Sequence, residues 1–273
     1  MINAFIVVWR ESLEAFLVIG VLQAWIAQQG GAARLRGGLW LGVAAGAALA
    51  ALLGVAAFRL QGLLDGQALE LFQVGMALLA CGLIVQMLCW MRRHGGGMKQ
   101  ALLSRAGEAG GVLGLAGVAA LAVAREGAET AVFLYGIGSE ASGSRLAGLL
   151  AAAGLGLLLA VATSLLLARG SRHLGHRAVF RLGEALLLLV AGAMLAHAVD
   201  RLIGMERLPA LGEALWDSSA WLPDGHGVGR LLADLLGYRA RPSGMLLLAG
   251  GAFWALSLGL LASQGRHGRG ARR

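Results

Sequence analysis

Four glutamates stand out because each lies in an apolar run where a carboxylate is costly. Glu11 and Glu14 follow Arg10 in Arg-Glu-Ser-Leu-Glu, and Glu126 and Glu129 follow Arg125 in Arg-Glu-Gly-Ala-Glu. A spacing of three puts both carboxylates of each copy on one helix face. An acidic residue at the centre of a membrane helix costs roughly 2.5–3.5 kcal/mol. Four cost on the order of 10 kcal/mol, as much as the whole stability of an ordinary domain. Three kinds of chemistry offset such a cost. Arg10 and Arg125 can close two structural salt bridges, the carboxylates can relay protons, or the arginines can balance part of the charge and leave the rest for a metal cation. Oxygen-only ligands suit hard cations: ferric iron and, less selectively, ferrous iron, manganese, magnesium or calcium. The third reading is adopted, with Glu11, Glu14, Glu126 and Glu129 as metal ligands and Arg10 and Arg125 as charge-balancing residues.

The elements that must position these groups are membrane helices. Of 273 residues, 58% are hydrophobic and only 14% charged, where a soluble domain carries about a quarter. Mean hydropathy is +0.73. Apolar runs of the length that spans a bilayer recur throughout. They predict an all-α polytopic membrane protein with seven transmembrane helices, at 2–28, 37–58, 68–91, 112–137, 145–168, 179–203 and 243–263. The N-terminal run has no basic segment before it, and Glu11 and Glu14 interrupt it, so the first helix is expected to be retained rather than cleaved as a leader. Cys81 and Cys89 fall in one predicted helix, about 12 Å apart along its axis, too far to pair.

Basic residues fix a direction. Fourteen of the 23 Lys and Arg residues fall in loops and the tail on one side of the membrane, seven fall on the other, and Arg10 and Arg125 lie within spans. The excess on one side predicts N-out/C-in. It also accounts for the net charge of +8: short basic loops face anionic lipid, and nucleic acid is not an expected partner.

The two motifs are three spans apart, and an odd unit puts its second copy upside down. Span 2 has small residues at Gly38, Gly42, Gly46, Ala50 and Gly54, and span 5 has them at Gly148, Ala152, Gly156, Ala160 and Ser164. Such stripes let backbones approach closely. The expected organisation is a single transmembrane domain over 1–273. It comprises repeat one at 1–93, repeat two at 112–203, an outer loop at 204–242, helix seven at 243–263 and a basic cytoplasmic tail at 264–273. An inverted 3+3 repeat plus one extra helix places a substrate site near the midplane where the copies meet. The depth of each motif along its span puts all four carboxylates at one level.

The duplicated motif on seven spans resembles the oxidase-dependent iron permease family, including its bacterial EfeU type and the fungal high-affinity iron permeases. Glu70-Leu71-Phe72 and Trp90-Met91-Arg92 bound span 3 much as in that family. Trp216-Asp217-Ser218-Ser219-Ala220, then Gly229, Gly237-Tyr238 and Pro242-Ser243-Gly244, resemble its last loop, so the likeness covers essentially the full chain. The family motif reads Arg-Glu-Gly-Leu-Glu; here Ser12 replaces the first glycine and Ala128 the second leucine. The family commonly has a glutamate where Gln73 stands, and glutamine keeps a carbonyl donor but loses a charge. The resemblance implies a permease, not an enzyme, that imports iron across the bacterial cytoplasmic (inner) membrane. It implies that an extracytoplasmic ferroxidase or periplasmic iron-delivery protein hands over the ion. Iron is then the transported substrate, with no cofactor bound permanently, and nothing in the chain resembles a cupredoxin-like or haem motif. Lead or manganese as cargo stays open, because of Gln73.

Secondary candidates are Glu70, Gln73, Asp217, Asp224 and His226 for the mouth of the path, the last three in an outer loop that also carries Glu206, Glu213 and Asp234. His197 and Asp200, near the outer end of span 6, read either as lining an exit or entrance or as a satisfied pair, and Glu184 as a structural residue near its start. Cys81, Met87 and Cys89 would suit a copper(I) path. Two other classes of function compete. An intramembrane carboxylate metalloenzyme would want histidines within the spans, and His197 is the one credible candidate. A structural subunit would use the arginine–glutamate pairs for packing alone.

Overall fold

In lipid every backbone N–H and C=O must be satisfied within its own segment, and helices do this without partners. The computed structural model describes residues 1–29, 32–94, 104, 107, 111–138, 143–169, 176–212 and 214–270. Glu213 lies outside them. Among the described residues there are eight substantial helices and no strand. They are α1 (Ile2–Ile26), α2 (Ala32–Gln61), α3 (Gly66–His94), α4 (Val112–Gly138), α5 (Ser144–Ala168), α6 (His176–Gly204), α7 (Gly227–Leu236) and α8 (Gly244–Gly270).

By length and composition, α2, α3, α5, α6 and α8 are apolar enough to cross a membrane, and the chain is a multi-pass membrane protein. α1 and α4 are as long, but every 18-residue stretch of either contains the arginine and both glutamates of its motif. The seven expected spans fall on the seven long helices, with ends shifted by a few residues. The largest shift is in α8, whose backbone stays helical to Gly270, past the end of its apolar run.

α7 is an element where a loop was expected. Leu231, Leu232, Leu235 and Leu236 recur at helical spacing, and Gly237 ends the helix at φ +70°, the left-handed cap that glycine adopts without strain. The backbone of Gly229 sits so close to the Pro223 carbonyl that no side chain fits there.

The two stripes decide how the long helices meet. A Cβ on Gly38 would lie 2.7 Å from the Val112 carbonyl oxygen, and one on Gly46 would lie 2.6 Å from that of Ala120. One on Gly42 would overlap the Ala116 carbonyl outright, and Gly127 abuts Ala50. The contacts advance together along both chains, so α2 and α4 run in the same direction. The second stripe behaves alike. Gly148 meets Met1, Gly156 lies against the Phe5 carbonyl, and Trp9 Nε1 donates to Thr163 Oγ1 at 3.3 Å, so α5 runs parallel to α1. Each motif helix is thus seated on the small-residue face of a helix from the other half of the chain. α3 and α6 form the third pair, with Ile84, Leu88, Leu187 and Val190 buried in the core they share. Arg201 donates to Gln73 Oε1 near one end of that pair, and Arg92 meets Glu184 at 3.4 Å near the other.

Candidate metal centre

Because α1 and α4 are also in contact with each other, both motifs project into one interior region. Carboxylate oxygens of Glu11, Glu126 and Glu129 all lie within 4.8 Å of one another. Glu11 is fully buried, and Glu126 is nearly so. Three anionic oxygens at this separation repel unless a cation or proton sits among them. Glu126 Oε2 and Glu129 Oε2 are buried and have no hydrogen-bond partner among the described residues. Orphaned buried acceptors of this kind are rare in folded proteins, and here two of them share one cluster.

Glu14 stands apart from the three. It forms an ion pair with Arg10 Nη2 one turn earlier on α1. Arg10 Nη1 also reaches both oxygens of Glu11, at 3.2 and 3.3 Å. On its far side the guanidinium meets the thioether sulfurs of Met87, at 3.3 Å, and Met91, and its Cγ passes the bare backbone of Gly183 on α6. Arg10 is 3% exposed.

Arg125 occupies a different setting. Its Nε meets Glu129 Oε1 at 3.0 Å, its guanidinium carbon lies 5.0 Å from the centroid of the Trp90 ring, and its side chain is 45% exposed. The two arginines, alike in sequence, are therefore inequivalent: one is locked inside the bundle and one is half-exposed on an aromatic face. The partners that make the difference, Met87, Trp90 and Met91, all come from the last turns of α3. Their spacing of three and four is a sequence signal for one helix face, but nothing in the motifs points to it.

The remaining candidates are dispersed. Gln73 is buried and takes its bond from Arg201, while Glu70 is exposed one turn earlier. Asp217 accepts bonds from Arg241 and from the N–H and O–H of Ser219. The Arg241 bond, ahead of those from Ser219, holds its carboxyl well below the usual range. This tie is fully present above the ordinary carboxylate pKa of about 4 and is lost only as pH falls well below it. Asp224 accepts the backbone N–H of Ala240 at 3.2 Å, and His226 is exposed ahead of α7. The expected His197–Asp200 pair does not form. His197 Nδ1 lies 2.8 Å from the Ala193 carbonyl, and Asp200 pairs with Arg239, which reaches it from the segment between α7 and α8. Cys81 is buried as a free thiol, and Met87 faces Arg10.

Comparison with known proteins adds three findings. A relative from Yersinia pestis named ferrous iron permease EfeU is 30% identical over 141 residues, 49% of this chain and 49% of that one. Its namesake from Escherichia coli O6:H1 is 32% identical over 143 residues, 49% of this chain and 50% of that one. The chain thus matches about half the length of these curated relatives. No solved structure matches it. The model of the iron permease FTR1 family matches residues 1–261, and the chain belongs to that family.

Proposed function

We propose that the protein imports iron across the bacterial inner membrane, passing the ion through the carboxylate cluster between α1 and α4. The observation that carries this reading is the convergence of Glu11, Glu126 and Glu129, drawn from both motif copies, with two buried oxygens lacking partners. Family membership and the iron permease names of the relatives support iron as cargo. In this reading all seven long helices span the bilayer, N-out/C-in, and helices α1–α3 and α4–α6 are inverted repeats. The pairing pattern supports the repeat: exchanging the halves turns the α1–α5 contact into α4–α2 and leaves α1–α4 and α3–α6 unchanged.

Chemically, the cluster offers hard oxygen donors and more negative charge than its arginines balance. Glu14 stays with Arg10 until an ion arrives and then completes the ligand set. Arg125, half-exposed on Trp90, is the counter-ion free to move, whereas Arg10 is held by five contacts. Iron is a passing substrate here, delivered by an external ferroxidase or iron-delivery protein.

The test is labelled-iron uptake in cells lacking other importers, comparing the parent protein with Glu14→Ala and Glu129→Ala at matched expression. Loss in both variants is expected. A parent protein that moves no iron under either reducing or oxidising conditions ends the iron reading, and a panel with manganese and lead then follows. Orientation is checked separately. A fluorescent protein fused after Arg273 is expected to fluoresce and an alkaline phosphatase fusion there to be inactive; the opposite pair of results would reverse the topology.

A further inference from the structure

A cavity of about 250 Å³ opens at the end of the bundle where α1 begins and α6 ends. By helix rise it lies about 12 Å beyond Glu11, measured from Asn3 along α1, and about 10 Å beyond Glu129, measured to Gly136 along α4. It therefore stands in front of the carboxylate cluster. Its charged lining has the wrong sign for a bare cation. Arg145 from α5, Arg201 from α6 and Arg230 from α7 face it, against Asp234 as the one carboxylate of the lining among the described residues; Glu70, outside the lining, acts on Arg201. Neither Arg145 nor Arg230 has an ion-pair partner among the described residues, whereas other arginines of the outer segment, Arg239 and Arg241, do. Gln73, His197 and Asn3 complete the polar wall. Asn3 is 6% exposed, and its Oδ1 is buried with no hydrogen-bond partner among the described residues.

We propose that this vestibule binds a small polycarboxylate such as citrate. Three guanidinium groups approaching from three helices match two or more carboxylates with charge-assisted, fork-shaped hydrogen bonds. The volume suits a molecule of about a dozen heavy atoms. A polycarboxylate also resolves the electrostatic conflict, because it masks arginines that would otherwise repel an arriving metal ion. Its role as the ligand that accompanies the cargo rests on the permease reading above; binding of the anion itself does not.

The experiment uses the full chain in lipid nanodiscs and calorimetric titration with citrate, without metal. Saturable citrate binding is expected. It should weaken by about a hundredfold or more in the Arg145→Gln/Arg230→Gln double variant, since each charge-assisted bond contributes about tenfold or better. Arg145→Lys/Arg230→Lys, which keeps the charge and loses the fork, should recover part of it. Tricarballylate, which keeps all three carboxylates, should bind comparably. Absent citrate binding, inorganic phosphate binding as tightly as citrate, or a double variant equal to the parent each overturns the proposal. A ferric citrate titration separates the two sources. Tighter binding than the free acid identifies the anion as the cargo's ligand, and weaker binding identifies it as a free counter-ion; both outcomes keep the anion site. A protein that binds citrate yet transports no iron would leave this site standing and bring down the permease reading alone.

Discussion

Gly42→Leu is expected to leave almost no folded protein, while Gly117→Leu is expected to leave the parent level. The two glycines lie on helices in direct contact, yet a Cβ at Gly117 meets nothing within 4 Å and one at Gly42 runs into the Ala116 backbone. Overpacking costs about 1–3 kcal/mol when neighbouring side chains can yield. Here the obstacle is main chain, which cannot rotate away, so α2 must lift off α4 along its length. Gly38 and Gly46, one turn to either side, lose their contacts in the same movement, and with them the seat that sets the position of Glu126 and Glu129. Gly42→Ala should be intermediate. Fluorescence-detected size exclusion and thermal melting in detergent read the result. A Gly42→Leu protein that elutes and melts like the parent would contradict the parallel α2–α4 contact.

The second large effect separates binding from folding. In Glu126→Gln the side chain keeps its shape and one carbonyl donor but removes one of three converging charges. Disturbing even the outer partners of a metal ligand costs about 10–100-fold in affinity, so loss of a ligand charge should cost at least about 100-fold. Uptake then falls to background with protein level unchanged. Glu11→Ala should differ. Glu11 is fully buried against Arg10, and removing one partner of a buried ion pair destabilises by about 3–5 kcal/mol. Its protein level should fall along with transport. If Glu126→Gln retains uptake within about twofold of the parent, the cluster is not the transit site.

Much of this was legible beforehand because a membrane leaves a chain few options. A run of about 20 apolar residues has one stable conformation in lipid, and the positions of α1 to α6 followed from such runs. α7 escaped notice because it is short and amphipathic, with an arginine and an aspartate among its leucines, so a search for long apolar runs passes over it. The carboxylates were legible from their cost. What the spacing could not convey is which charges meet. The level estimate treated the four glutamates alike, whereas Arg10 binds Glu14 within its own helix and three others converge. Nor could it separate the two arginines, since their difference lies in Met87, Trp90 and Met91, contributed by a helix outside both motifs. The stripes suggested close approach but not the partner; that α2 lies on α4, and α5 on α1, depends on contacts between residues far apart in the chain.

The crossing of the halves bears on how such a chain is made. In the seven-span reading, α1 enters the bilayer long before α5 and α4, the helices it rests against, have been synthesised. During that interval its three charges have no tertiary shelter. Arg10 and Glu14 are one turn apart on the same helix, so their pair forms as soon as α1 is helical, and Glu11 leans on the same guanidinium. The nascent helix thereby carries its own counter-ion through insertion. α2 waits as well, its glycine face turned to lipid until α4 arrives. In that reading a chain interrupted after α3 would be inserted but unassembled, and the interval before α4 is made would be the stage at which quality control has most to recognise.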